Sequence, residues 1–308
     1  MGASFLFRRW LGVLGVGLAL LVACNQHLPT GETPPVAEGT SPLPTQTVPP
    51  PTLTPTPVPL ALRVNGEGVP LAEFQAGMTQ IQAAVQTLGE TLTPEEQRRR
   101  VLDDLIDTTL LAQAARAAGY QVDEAALQAR MQEIVTAQGG EAAFEAWQTQ
   151  MGYTPESFRS ALRRGLEAAW QRDRIVDSVP SSAEQVHARQ ILVLTEEAAR
   201  QVKQQLAQAG ANFATLAFGY DLSTGGDLGW FPRGYLTQPA VEEAAFSLQP
   251  GEISDIIKTD FGYHILQVIA READRPLDPE VRRALGRKAL SQWLEDQRRQ
   301  AQVEELVP

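Results

Sequence analysis

The chain has 308 residues, 43% of them hydrophobic and 20% charged, with a formal net charge of −11. That charge argues against nucleic-acid binding, which needs basic surface to neutralise phosphates. With the first sixty residues set aside, the remaining length suffices for two modest cores.

In chain order, residues 1–23 read as a signal peptide: Arg8 and Arg9 precede an apolar run from Trp10 to Ala23 that is too short to span a bilayer. Leu21-Val22-Ala23-Cys24 is similar to a bacterial lipobox, and Cys24 is the only cysteine, so no intramolecular disulfide is available. Cys24 is therefore expected to carry lipid, with two or more acyl chains giving stable attachment. Residues 24–60 are Pro/Thr-rich and hold about half of the 21 prolines. They cannot bury enough surface to offset ordering entropy and are expected to form a disordered, extended stalk.

Residues 61–180 then read as a helical module. Leu62–Gly66 and Gly68-Val69 suggest a short strand pair around an Asn-Gly turn, and Pro70 opens a helix carrying Leu71, Phe74, Met78, Ile81 and Val85. Thr93-Pro94-Glu95-Glu96 has an N-cap threonine, a first-turn proline and a capping-box glutamate, and starts a helix ending near Gly119. Asp123 is expected to cap a third helix, Phe144 and Trp147 mark a fourth, and Thr154-Pro155 starts a fifth. Apolar residues recur at three- and four-residue intervals throughout, the period of a helix with one buried face. Trp147, Trp170 and Trp293 read as helix-packing core, with the alternative that some of them line a cleft for unfolded peptide.

Residues 184–272 follow a β-α-α-β-α-β-β order. Gln185–Leu194 alternates into a strand, Thr195 begins a helix ending by Gly210, and Asn212 caps a short helix through Phe218. Gly229–Phe231 forms a strand and Pro239–Leu248 holds a helix. Ile253–Ile257 and Tyr263–Ile269 are expected as the last two strands. Asp278-Pro279 then caps a final helix with Val281, Leu285, Leu290, Trp293 and Leu294, whose apolar stripe needs a partner. Segment 276–308 is therefore expected to complete the module begun at 61–180.

Several runs carry a resemblance: Ala188-Arg189-Gln190-Ile191-Leu192-Val193, Gly225-Gly226-Asp227-Leu228-Gly229-Trp230-Phe231, Glu242-Glu243-Ala244-Ala245-Phe246 and Phe261-Gly262-Tyr263-His264. In this order and spacing they resemble the parvulin family of peptidyl-prolyl cis/trans isomerases. The whole arrangement resembles SurA/PrsA-type extracytoplasmic foldases. The resemblance implies an α+β fold, with a parvulin-like domain inserted in an all-helical chaperone module behind the linker. It also implies isomerase activity on unfolded exported polypeptides at the outer face of a membrane, with no cofactor.

Carried over by resemblance, the pocket comprises His264, Asp221 in the Cys/Asp position, and Gln190 where the family places another histidine. The apolar floor is Leu228, Leu236 in place of methionine and Val241 in place of phenylalanine, with Phe246 and Phe261 as further substrate-binding residues. Gln190 can donate and accept hydrogen bonds and is expected to orient Asp221 or His264 without titrating. His264 also reads as a buried structural histidine, and Asp221 as a cap of the turn at Ser223–Gly226. His187 lies on the opposite strand face from Gln190 and reads as solvated. Three scattered histidines and one cysteine predict no metal site. The leading reading is a lipid-anchored, extracytoplasmic foldase. The alternative is a weak or inactive parvulin-fold holdase that binds unfolded chains.

Overall fold

The computed structural model describes residues 58–307. The predicted signal segment, Cys24 and nearly all of the predicted stalk lie outside them. Strand β1 (Leu60–Val64) and strand β2 (Glu67–Pro70) pair antiparallel. Their turn uses Asn65 at φ 52° and Gly66 at φ 83°, the left-handed pair that a two-residue hairpin favours.

Helix α1 (Leu71–Leu88) follows directly, and α2 (Pro94–Ala117) starts at the full capping box of Thr93 and Glu96. Then come α3 (Glu124–Ala137), α4 (Glu141–Gln150) and α5 (Pro155–Asp177), the last opened by a second capping box between Thr154 and Ser157. Asp123 stands at the start of α3, but its side chain makes no capping hydrogen bond.

The next segment is β3 (Ser182–Val193), α6 (Glu196–Leu206), α7 (Phe213–Tyr220), β4 (Asp227–Pro232), α8 (Pro239–Ser247), β5 (Ile257–Thr259) and β6 (Gly262–Pro276). The strands form one antiparallel sheet in the order β4-β3-β6-β5. One face packs Val186, Ala188, Leu266 and Val268 against Phe231, Val241 and Phe246. The other packs Ile191, Val193 and Ile265 against α6 and α7 through Ala199, Val202, Phe213 and Ala217. The expected strand Ile253–Ile257 is a correction. Ile253 makes only an isolated bridge to Gln267, and Ser254 Oγ accepts the Leu266 N–H at 2.8 Å, taking the place of a backbone carbonyl in the ladder.

Helix α9 (Pro279–Gln300) returns to the helices, packing Leu290, Trp293 and Leu294 against Leu111, Ala112 and Ala168 of α2 and α5. Arg298 Nη1 donates to Asp103 at 2.9 Å, and its Nε bonds Asp107. Proline at its first turn fixes the start of α9, and Asp278 makes no side-chain cap. The last strand among the described residues is β7 (Val303–Glu305), which pairs with β1 and gives the helical module a three-stranded sheet, β2-β1-β7. The expected α+β class holds, and β7 adds a strand to a module expected to be all-helical.

Candidate active site

Strand pairing builds the site. Directly opposed residues of antiparallel strands share a face, so Gln190 opposite Leu266 and Leu192 opposite His264 look the same way as the core residues Ala188 and Val268. The apolar layer on this face ends at a polar string. His264 Nδ1 lies 2.8 Å from Gln190 Oε1, and its Nε2 lies 2.8 Å from Thr259 Oγ1. The Gln190 oxygen only accepts, so Nδ1 carries the hydrogen and Nε2 receives the Thr259 hydroxyl, an assignment drawn from the network itself. Thr259 Oγ1 in turn accepts the Phe261 N–H at 3.1 Å.

His264 is 4% exposed, and burial pushes its pKa below the ordinary value of 6.5. It is therefore neutral at pH 7, as the string requires, and both ring nitrogens are engaged. The amide NH2 of Gln190 has no partner among the described residues.

Gln190 is held from behind. Its N–H donates to Gly226 O at 2.8 Å, and a Cβ added to Gly226 (φ +70°) would stand 1.9 Å from the Gln190 carbonyl oxygen. Only glycine lets the turn close this tightly on the strand.

The structure divides the expected site residues. Gln190 and His264 meet directly. Asp221 does not join them: its carboxylate accepts from Ser223 Oγ at 2.6 Å, Ser223 N at 2.9 Å, Thr224 N at 3.2 Å and Thr224 Oγ1. These bonds, led by the Ser223 hydroxyl, hold its pKa well below the usual carboxylate range. Nearby donors two and three residues on saturate Asp221, so it caps its own turn. Of the two expected partners of Gln190, His264 is bonded and Asp221 is not.

Leu228 and Leu236 are half-buried on the core. Val241 is 3% exposed and Phe246 4%, so both lie within the core. Phe246 meets Phe231 edge-on at 6.0 Å and is covered by the Arg233 guanidinium at 4.2 Å, which removes its ring from any ligand surface. Phe261 is 62% exposed in the β5–β6 turn. His187 is on the opposite face, as strand parity predicts, but it is not simply solvated: Nε2 lies 2.8 Å from Asp227 Oδ1, and the ring tilts against Trp230.

Two residues escaped the sequence reading. Thr259 completes the string, and its signal was the tight hairpin that places it opposite Gly262, beside His264. Glu242 holds the loop that carries Leu236: its two carboxylate oxygens accept Gly234 N–H at 2.7 Å and Leu236 N–H at 3.0 Å. Its signal was an acidic side chain at the first turn of α8, within reach of loop amides. Among the described residues, no group of three His, Cys, Asp or Glu side chains converges as a metal site.

Residues 181–283 match the PPIC-type PPIase domain family, and residues 52–170 match the SurA-like N-terminal domain family. The foldase protein PrsA of Caldanaerobacter subterraneus is 32% identical over 231 residues, 66% of this chain and 71% of that protein. PrsA of Geobacillus kaustophilus is 30% identical over 219 residues, 68% of this chain and 75% of that protein. The crystal structure of the peptidylprolyl isomerase PrsA from Bacillus cereus aligns over 69% of this chain and 87% of its own, with 19% identity and a TM-score of 0.46. With a PPIC-type domain following a SurA-like N-terminal domain, and with this identity across most of its relatives' length, the chain belongs to the PrsA foldase family.

Proposed function

We propose that the protein is a peptidyl-prolyl cis/trans isomerase and foldase for unfolded exported chains, held at the outer face of a membrane by lipid on Cys24. The observation that carries the reading is the Gln190–His264–Thr259 string at the edge of a floor formed by Leu228 and Leu236 in a PPIC-type domain. The proposed attachment rests on the lipobox-like run Leu21-Val22-Ala23-Cys24; among the described residues no helix is long and apolar enough to cross a membrane. Cys24→Ser is expected to move the protein from the membrane to the soluble fraction. Unchanged fractionation would remove the anchor from the proposal.

Isomerisation needs no covalent step. Twisting the Xaa-Pro amide removes its resonance, leaving a pyramidal nitrogen with a localised lone pair and a carbonyl released from conjugation. An enzyme gains rate only from contacts stronger in that state than in the planar one. Leu228 and Leu236 grip the proline ring, with Val241 beneath as packing. The free amide NH2 of Gln190, fixed through its oxygen by His264, donates to the twisted amide. Neutral, doubly bonded His264 orients Gln190 and transfers no proton.

A protease-coupled isomerisation assay on an Ala-Leu-Pro-Phe anilide tests this. Turnover is expected, and Gln190→Leu should lower kcat/KM by on the order of tenfold, the loss of one oriented donor. Equal rates for the two proteins would remove Gln190 from the mechanism.

A second reading, the holdase, has its own support. Helix α1 carries Phe74, Met78, Ile81 and Val85 only half-buried and Leu88 50% exposed, leaving apolar surface for unfolded chains. Aggregation suppression by a protein without turnover would favour it.

A further inference from the structure

The floor loop carrying Leu236 is gripped from two sides. Within the sheet domain, Glu242 on α8 receives the N–H groups of Gly234 and Leu236. From outside it, Lys288 Nζ on α9 donates to the Gly234 carbonyl at 2.8 Å. Leu285, one turn earlier on the same face of α9, places Cδ2 3.6 Å from where a Gly234 side chain would begin. Gly234 itself has φ +82°, so the loop bends sharply at the point both residues touch. Further along, α9 is fixed to α2 and α5 by Arg298 and by the Leu290, Trp293 and Leu294 contacts. The helix that belongs to the helical module by packing therefore clasps the loop that supplies half the proline floor.

We infer that Lys288 is a positioning residue for the proline site, setting Leu236 through the Gly234 carbonyl and so coupling proline affinity to the helical module. This rests on the proposed isomerase reading only in assigning Leu236 to the floor. Leu236 holds the ring and does not touch the reacting amide. Loss of the clasp therefore weakens binding of planar and twisted states alike, raising KM and leaving kcat unchanged.

Lys288 is exposed, so Lys288→Ala should fold normally. The test uses the full chain, with peptide affinity measured by titration of the Ala-Leu-Pro-Phe anilide, hydrogen exchange read at the Leu236 amide, and steady-state kinetics. Lys288→Ala is expected to speed Leu236 exchange and to weaken both Kd and KM by on the order of threefold, the loss of one exposed charge-assisted bond. The variant's kcat and Tm should not change, and Lys288→Arg should restore the wild-type values. Unchanged exchange, or faster exchange with unchanged Kd, overturns the role of Lys288. A wild-type protein that binds the peptide without turning it over defeats the isomerase reading alone, since Kd and exchange still judge Lys288. A wild type that binds no proline peptide overturns both.

Discussion

The helical module and the inserted sheet domain solve the burial problem in opposite ways. The sheet domain buries two continuous apolar layers, one on each face, and confines polar burial largely to Gln185, Ser254 and the His264 string. The helical module hides charge: Glu73, Arg164 and Glu167 are all buried between α1, α2 and α5. Arg164 Nη1 bonds Glu73 at 2.6 Å, and Arg116 bridges Glu67 and Glu167. Desolvation raises the Glu73 pKa against the opposing pull of Arg164, and Glu73 Oε1 and Arg164 Nε are buried without a hydrogen-bond partner. A domain framed by apolar layers keeps the three-residue polar string of Gln190, His264 and Thr259 in register. The helical module instead relies on ion pairs and leaves the apolar stripe of α1 half-covered.

The sharpest way to break this contrast is Arg164→Met. Removing one partner strands Glu73 and should cost the module about 3–5 kcal/mol, with the Glu73→Leu, Arg164→Met pair recovering most of it. Trp147, Trp170 and Trp293 lie in the module and Trp230 in the sheet domain, so fluorescence melts compared with and without Trp230→Phe separate the two. A loss felt equally by Trp230 would mean that the regions do not differ in this way.

Gly226→Ala attacks the sheet domain. The new methyl meets the Gln190 carbonyl in a left-handed backbone, and we expect a loss of about 2–3 kcal/mol together with weaker isomerase turnover. Retained stability would show that the turn is not pressed on β3.

The pH response should be smaller and specific to His264. Its folded pKa lies below 6.5, so between those values the unfolded chain binds more protons and acid favours unfolding. Its stabilisation is complete above pH 6.5 and is lost as pH falls through the folded value. The slope should stay under about 1.4 kcal/mol per pH unit, and His264→Gln should flatten it in denaturant titrations. Smallest of all, Glu124→Gln, which removes an exposed carboxylate shared by Arg159 and Arg163, should leave the denaturant midpoint almost where it was.

Local rules made much of this legible. Thr93 and Thr154 announce their helices because a capping side chain acts on amides three residues away. Strand parity separated His187 from Gln190, because side chains alternate strictly, whereas the pairing of Gln190 with His264 came from the family resemblance and is fixed by the β3–β6 register. Asp221 was ambiguous because a carboxylate followed by Ser223 and Thr224 has local donors that compete with any distant partner. Ile253–Ile257 looked like a strand because its pattern does not reveal that Ser254 offers a side chain to the ladder. Strand β7 escaped because three exposed residues at a sheet edge carry no burial pattern.

That last strand has a consequence for the order of folding. Asn65 and Gln302 are 237 positions apart, yet the Gln302 N–H donates to Asn65 Oδ1 at 2.9 Å, and β7 lies alongside β1. The chain is delivered N-terminus first, so β1 arrives well before β7, with the whole sheet domain between them. The domain's own contacts lie within about a hundred residues, so it can close while β1 still waits for its neighbour. The finished isomerase fold then acts as the short bridge that brings α9 and β7 home, replacing a long floppy loop whose closure would cost more entropy.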